Sequence, residues 1–155
     1  MDELRKASLE DLPAVQKVVA DAYHHYIARL GKVPGPMSDD YEQLIVAECV
    51  WVLKVDNVVV GILVLVPESD HVLLNNVAID PRFQGRGLGK RLIEHAELTA
   101  TQFGVAELRL YTNVVMTEDL LLYRKLGFEE THRAKQDGYE RVFMRKRMLP
   151  VQYDR

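Results

Sequence analysis

The stretch Val77-Ala78-Ile79-Asp80-Pro81-Arg82-Phe83-Gln84-Gly85-Arg86-Gly87-Leu88-Gly89-Lys90-Arg91-Leu92 decides how this chain folds. It reads as the apolar end of a strand, a proline turn, glycines at alternate positions and the start of an amphipathic helix. Glycine lets the backbone come close to a ligand and take a positive φ. The first N–H groups of a helix have no partner inside it and point outward at the positive end of the dipole. Main chain arranged in this way holds an anion, most often a phosphate.

Two familiar phosphate loops do not fit. The P-loop spacing fails because Gln84 stands where its first glycine belongs and Arg91 where Ser or Thr should follow Lys90. The dinucleotide fingerprint fails in both registers, because Lys90 or Leu92 falls on its third glycine. A nucleotide-binding protein is therefore disfavoured. What fits is Gln84-x-x-Gly87-x-Gly89 after Val77-Ala78-Ile79.

Working outward, Ser8 and Asp11 can cap a helix that turns Leu12, Val15, Val18, Val19, Ala22 and Tyr23 inward, with Pro13 tolerated in its first turn. Gly31 to Met37 breaks it, and Ser38-Asp39-Asp40 starts a short helix reaching about Ala47. Val50 to Val55 and Val58 to Val66 read as strands joined at Asp56-Asn57, a strong hairpin signal. His71 to Ile79 is a further strand. A helix from about Gly87 to Phe103 places Leu88, Leu92, Ala96 and Phe103 on one face, ended by Gly104. Glu107 to Tyr111 is a strand, Thr117 to Leu126 a helix capped by Thr117 and stopped by Gly127, and Asp137-Gly138 joins the last two strands. The order β-α-α-β-β-β-α-β-α-β-β gives one α/β domain over residues 1–155, with a frayed tail after Pro150.

Composition narrows the classes. At 155 residues the chain can bury a substantial core. A net charge of −3 gives no general argument for nucleic-acid binding, and the Arg141 to Arg147 run alternates with Val142, Phe143 and Met144 as a strand does. The longest apolar stretch, Val58 to Val66, is too short to span a bilayer, and Met1 to Lys6 has no apolar signal core. The single cysteine, Cys49, lies among apolar neighbours and reads as a buried thiol. A reducing cytoplasmic setting follows.

A second motif lies downstream, Leu110-Tyr111-Thr112-Asn113 and then Tyr123-Arg124-Lys125-Leu126-Gly127-Phe128. With the glycine loop it resembles the signature of the GNAT N-acetyltransferase superfamily. The resemblance spans Ser8 to Arg147 and is specific mainly in these two motifs, which stand in the right order. It implies a mixed, mostly antiparallel sheet of about seven strands flanked by four helices, no metal, and acetyl-CoA as acetyl donor to an amine. It implies that amides from Gln84, Gly85, Arg86, Gly87, Leu88, Gly89 and Lys90 hold the pyrophosphate. Val77, Ala78 and Ile79 would pair with the pantetheine arm as an added strand. Asn113 would either bond the pantetheine amide or order the loop before the next helix. Tyr123 would give a proton to the departing thiolate.

The chain departs from the family at strand four, where many members carry a glutamate base and this one has Asn75-Asn76. Those asparagines suit a bulge, since Asn tolerates the left-handed region. Glu118, Asp119, His24, His25 and a water chain are the alternatives for the base. The acceptor is expected to meet Tyr23 to Met37, Asp39 to Tyr41 and the Gln136 to Tyr139 turn. A free small molecule is favoured over a protein N-terminus or lysine, and a homodimer is left open. The competing class is a non-catalytic acyl-CoA sensor of the same fold.

Overall fold

The computed structural model describes residues 2–148, and the tail expected to fray lies outside them. The strands are β1 (Asp2–Lys6), β2 (Val50–Val55), β3 (Val58–Pro67), β4 (Val72–Ile79), β5 (Glu107–Asn113), β6 (Glu129–Gln136) and β7 (Tyr139–Arg147). The helices are α1 (Leu12–Tyr23), α2 (Tyr26–Leu30), α3 (Tyr41–Val46), α4 (Leu88–Gln102) and α5 (Thr117–Lys125). The seven strands form one mixed sheet in the order β1-β2-β3-β4-β5-β7-β6. Its parallel pair joins Val72 and Leu73 of β4 to Leu108 and Arg109 of β5. A parallel pair needs a crossover connection, and α4 supplies it. The expected α/β fold is the one observed, with a fifth helix, α2, where the sequence suggested only the end of α1.

The chain divides into two compact units, one made of residues up to Leu65 with Asn75–Leu92, the other of Val66–Leu74 with Ile93 onward. In the first unit, α1 buries Val15, Val18, Val19, Ala22 and Tyr23, the face the periodicity marked. Ser8 donates its backbone N–H to Asp11 at 2.8 Å, and the Arg5 guanidinium grips the same carboxylate at 2.8 and 3.1 Å. Asp40 caps α3 by accepting from the Gln43 N–H at 3.1 Å. Asp56 and Asn57 take φ of 49° and 69°, the geometry of a two-residue hairpin turn. In β3, Val60 to Leu65 are buried without alternation, the pattern of a strand covered on both faces.

The second unit buries Val72, Leu74, Ile93, Ala96, Ala100, Leu108, Leu110, Val142 and Met144. Here β7 runs antiparallel to both β5 and β6. The edge strand β6 is almost wholly exposed, and its charged side chains blunt an edge that could otherwise pair with another chain.

Several expectations are corrected. Phe103 is 58% exposed, because α4 ends at Gln102 and the inward stripe closes on Ala100 instead. Cys49 is half-buried rather than fully buried, though the burial it has raises its thiol pKa. Neither Asn75 nor Asn76 enters the left-handed region, and burial alternates without interruption from Val72 to Ile79. The left-handed conformation expected of the asparagines is not taken, the β4–β5 pairs are Val72 with Leu108 and Leu73 with Arg109, and a register irregularity falls between Leu53 and Lys54 of β2.

Candidate functional site

In the first unit the loop from Asp80 to Gly87 is braced rather than slack. The Asp80 N–H donates to the Val60 carbonyl at 2.8 Å, which ties the end of β4 to β3. The buried Asp80 carboxylate accepts from the Arg82 N–H at 3.0 Å and from its guanidinium at 3.2 and 2.8 Å. Those bonds hold the carboxyl below its ordinary pKa, so it stays charged. Gln84 donates its side-chain amide back to the Ile79 carbonyl at 3.2 Å, and the Arg86 guanidinium lies over the Phe83 ring at 4.8 Å.

Beyond this brace, Gly85 and Gly87 have φ of 81° and 78°, while Arg86 between them does not take a positive φ. Left-handed residues on either side of one that is not are the kind of backbone from which an anion nest is built. This turn leads directly into α4, whose Arg91 N–H makes a helical bond to the Gly87 carbonyl at 3.2 Å. Leu88, Gly89 and Lys90 form the first turn, so helix geometry leaves their N–H groups without a partner inside the helix. No packing demands glycine at Gly85 or Gly87, since an added Cβ would meet nothing within 4 Å at either. The backbone conformation demands it.

Val77, Ala78 and Ile79 stand on β4 just before this loop, with Ala78 buried and the other two half-buried. One position earlier, Asn76 is 3% exposed and joined to two phenols. The Tyr23 hydroxyl of α1 donates to Asn76 Oδ1 at 2.5 Å, and Asn76 Nδ2 donates to the Tyr41 hydroxyl of α3 at 2.9 Å. The Tyr41 hydroxyl in turn donates to the Pro36 carbonyl. Burial, with a smaller contribution from the Asp39 charge, pushes the Tyr41 phenol pKa up, so it keeps its proton. Asn75 donates to the Asp39 carboxylate at 3.4 Å. Two of the expected acceptor segments, Tyr23 to Met37 and Asp39 to Tyr41, are thus joined to strand four. Nothing in the sequence pattern marked Asn76 or Asp80 for these parts.

In the second unit Asn113 is buried at the end of β5, and its side-chain oxygen accepts from the Val115 N–H at 3.1 Å. That bond orders the loop before α5, one of its two expected roles. The helix cap is Met116 and not Thr117, whose hydroxyl donates to Glu118. Tyr123 is buried, and α5 closes just after it. The Gly127 N–H donates to the Arg124 carbonyl at 3.1 Å and the Phe128 N–H to the Tyr123 carbonyl at 3.0 Å. This is the Schellman pattern, with Gly127 at φ 98° and an apolar contact across it. Here that contact is Tyr123 against the edge of Phe128, centroids 5.7 Å apart. Tyr-x-x-x-Gly-Phe therefore has a physical reading: it is a helix stop that fixes the phenol ring. Of the suggested bases, Glu118, His24 and His25 are exposed and Asp119 is half-buried.

Among the described residues no group of three or more His, Cys, Asp or Glu could hold a metal ion, and no helix is long and apolar enough to cross a membrane. The family model for the acetyltransferase (GNAT) domain matches residues 46–130. An uncharacterized N-acetyltransferase of Escherichia coli K12, YjgM, is 30% identical over 135 residues, 81% of each chain. The ribosomal protein bS18-alanine N-acetyltransferase of Salmonella typhimurium is 41% identical over 61 residues, 39% of this chain and 41% of that one. The crystal structure of PaiA N-acetyltransferase from Thermoplasma acidophilum, in complex with coenzyme A, superposes with a TM-score of 0.79 at 21% identity, over 95% of this chain and 99% of that one. With both motifs in place on the matching fold, the chain belongs to the GNAT acetyltransferase family.

Proposed function

We propose that residues 1–155 act as one catalytic domain that moves the acetyl group of acetyl-CoA onto a primary amine of a small-molecule acceptor, by direct attack. The observation that carries this reading is the braced nest at Gly85 and Gly87 on the start of α4. It suits a pyrophosphate, because left-handed glycines leading into a helix start let main-chain N–H groups gather round an anion, and an added Cβ at either glycine would meet nothing within 4 Å. The thioester supplies an activated acetyl carbon and a thiolate leaving group. Amides from Gly85 to Lys90, with the Arg86 and Lys90 side chains, hold the donor's phosphates. Val77 and Ile79 main chain pairs with its pantetheine arm, and an N–H of this stretch steadies the carbonyl oxygen as charge gathers on it. Tyr123 protonates the departing sulfur. With no carboxylate on strand four, the ammonium proton goes to Glu118, Asp119, His24, His25 or a water chain, and no single base is assigned. The setting is a reducing cytoplasm.

The bS18-alanine enzyme raises a protein N-terminus as the other acceptor, but that likeness covers 39% of this chain, too little to carry the acceptor across. Release of free CoA, followed with a thiol reagent against spermidine, tyramine, lysine and an alanyl peptide, tests the reading. Turnover of any amine is expected, strongest for a small one. Tight acetyl-CoA binding with no turnover would make the protein an acyl-CoA sensor.

A further inference from the structure

The amide of Asn76 can face only one way. The Pro36 carbonyl has no proton to give, so the Tyr41 hydroxyl must donate to it. Tyr41 has then spent its single proton and can only accept, which puts the Nδ2 of Asn76 on its side, at 2.9 Å. That leaves Oδ1 facing Tyr23, whose hydroxyl must donate across 2.5 Å. The chain of bonds therefore has one direction, Tyr23 to Asn76 to Tyr41 to Pro36. It links residues 53 and 35 apart in sequence and is buried at Asn76, Tyr23 and Tyr41.

Two consequences follow. A carboxylate in place of Asn76 cannot donate to Tyr41, so an ionised acid at this position is incompatible with this chain of bonds. The Tyr23 oxygen, having given up its proton, can only accept from any further group, and that is the polarity an incoming amine N–H requires. Val77's carbonyl oxygen, another acceptor, lies 3.4 Å from it.

We propose that Asn76 is the positioning residue of the acceptor side: it anchors the Gly31–Ser38 segment through Tyr41 and sets the Tyr23 oxygen to receive the amine. This deepens the transferase reading and rests on it for the amine's part; the anchoring stands on the hydrogen bonds alone.

Asn76→Asp, Tyr41→Phe and Tyr23→Phe test it by two measurements. Amide hydrogen exchange reads the anchor. In Asn76→Asp and Tyr41→Phe, exchange across residues 31–38 is expected to quicken at least ~tenfold, whereas Tyr23→Phe should leave that segment within ~threefold. Steady-state kinetics with the best amine among spermidine, tyramine and an alanyl peptide reads the acceptor. KM for the amine should rise at least ~fivefold in all three, with acetyl-CoA Kd within ~twofold. Tyr41→Phe removes one hydroxyl at constant shape, so it carries the test if Asn76→Asp does not fold. Unchanged exchange in Tyr41→Phe overturns the anchor, and unchanged amine KM in all three overturns the acceptor role. A higher kcat in Asn76→Asp, with a new acid limb in its pH profile, overturns the positioning role by showing that a strand-four base was merely missing. No turnover of any amine by the native enzyme overturns the transferase reading, while the exchange result still decides the anchor.

Discussion

Tyr123 is fixed by backbone before it is fixed by packing. Its carbonyl receives the Phe128 N–H at 3.0 Å, and its ring meets the Phe128 edge across the same helix stop. Gly127 makes this possible at φ 98°, with the Lys146 Cε 3.1 Å from where a Cβ would stand. A side chain there would meet both backbone strain and a close neighbour. The helix stop holds the ring through backbone bonds that Tyr123→Phe leaves in place. Removing the hydroxyl, the proposed proton donor, should lower kcat at least ~tenfold and leave acetyl-CoA affinity unchanged, as read by steady-state kinetics and calorimetric titration. An unchanged kcat would take Tyr123 out of the chemistry.

At the scale of elements, the β4–loop–α4 unit separates the parts that shape the proposed anion nest from the parts that support it. Asp80, Arg82 and Gln84 hold the loop to β3 and β4, while Gly85 and Gly87 set its curvature. Gly87 takes φ 78°, a conformation that costs a β-branched residue dearly, and its surroundings are open. Gly87→Val should therefore reshape the nest without disturbing a core. Acetyl-CoA affinity is expected to fall at least ~100-fold, the loss of several amide bonds to a charged group, while the circular-dichroism spectrum stays native. Retained affinity would contradict the assignment of this loop.

At the scale of the whole molecule, what the sequence made legible was local. The hairpin at Asp56-Asn57, the inward face of α1 and the left-handed turn at Gly85 and Gly87 each depend on residues a few positions apart, and each stands where spacing put it. The Asn76 chain depends on partners 53 and 35 residues away, and no periodicity announces such a pairing. Phe103 misled because a helical stripe was carried one residue past the helix's end. The link between Arg5 of β1 and Asp11 before α1 belongs between these cases: Ser8 and Asp11 were legible as a cap, the guanidinium was not. That pair carries a prediction for the stability of the whole. The Arg5 hydrogen bonds, the largest cause, lower the Asp11 pKa to about 2 against burial, which raises it. A folded-state pKa below the unfolded one adds stability above the unfolded value, near pH 4, and loses it as pH falls through the folded one. The shift corresponds to about 2 kcal/mol, less because Arg5 is 35% exposed and screened, so roughly 1–2 kcal/mol. Asp11→Asn keeps the shape and removes the charge. Its melting temperature at pH 7 should lie roughly 2–8 °C below that of the native chain, and the gap should shrink to about half by pH 3. A gap that held constant from pH 7 to pH 3 would mean that the charge on Asp11 does not hold β1 to the start of α1.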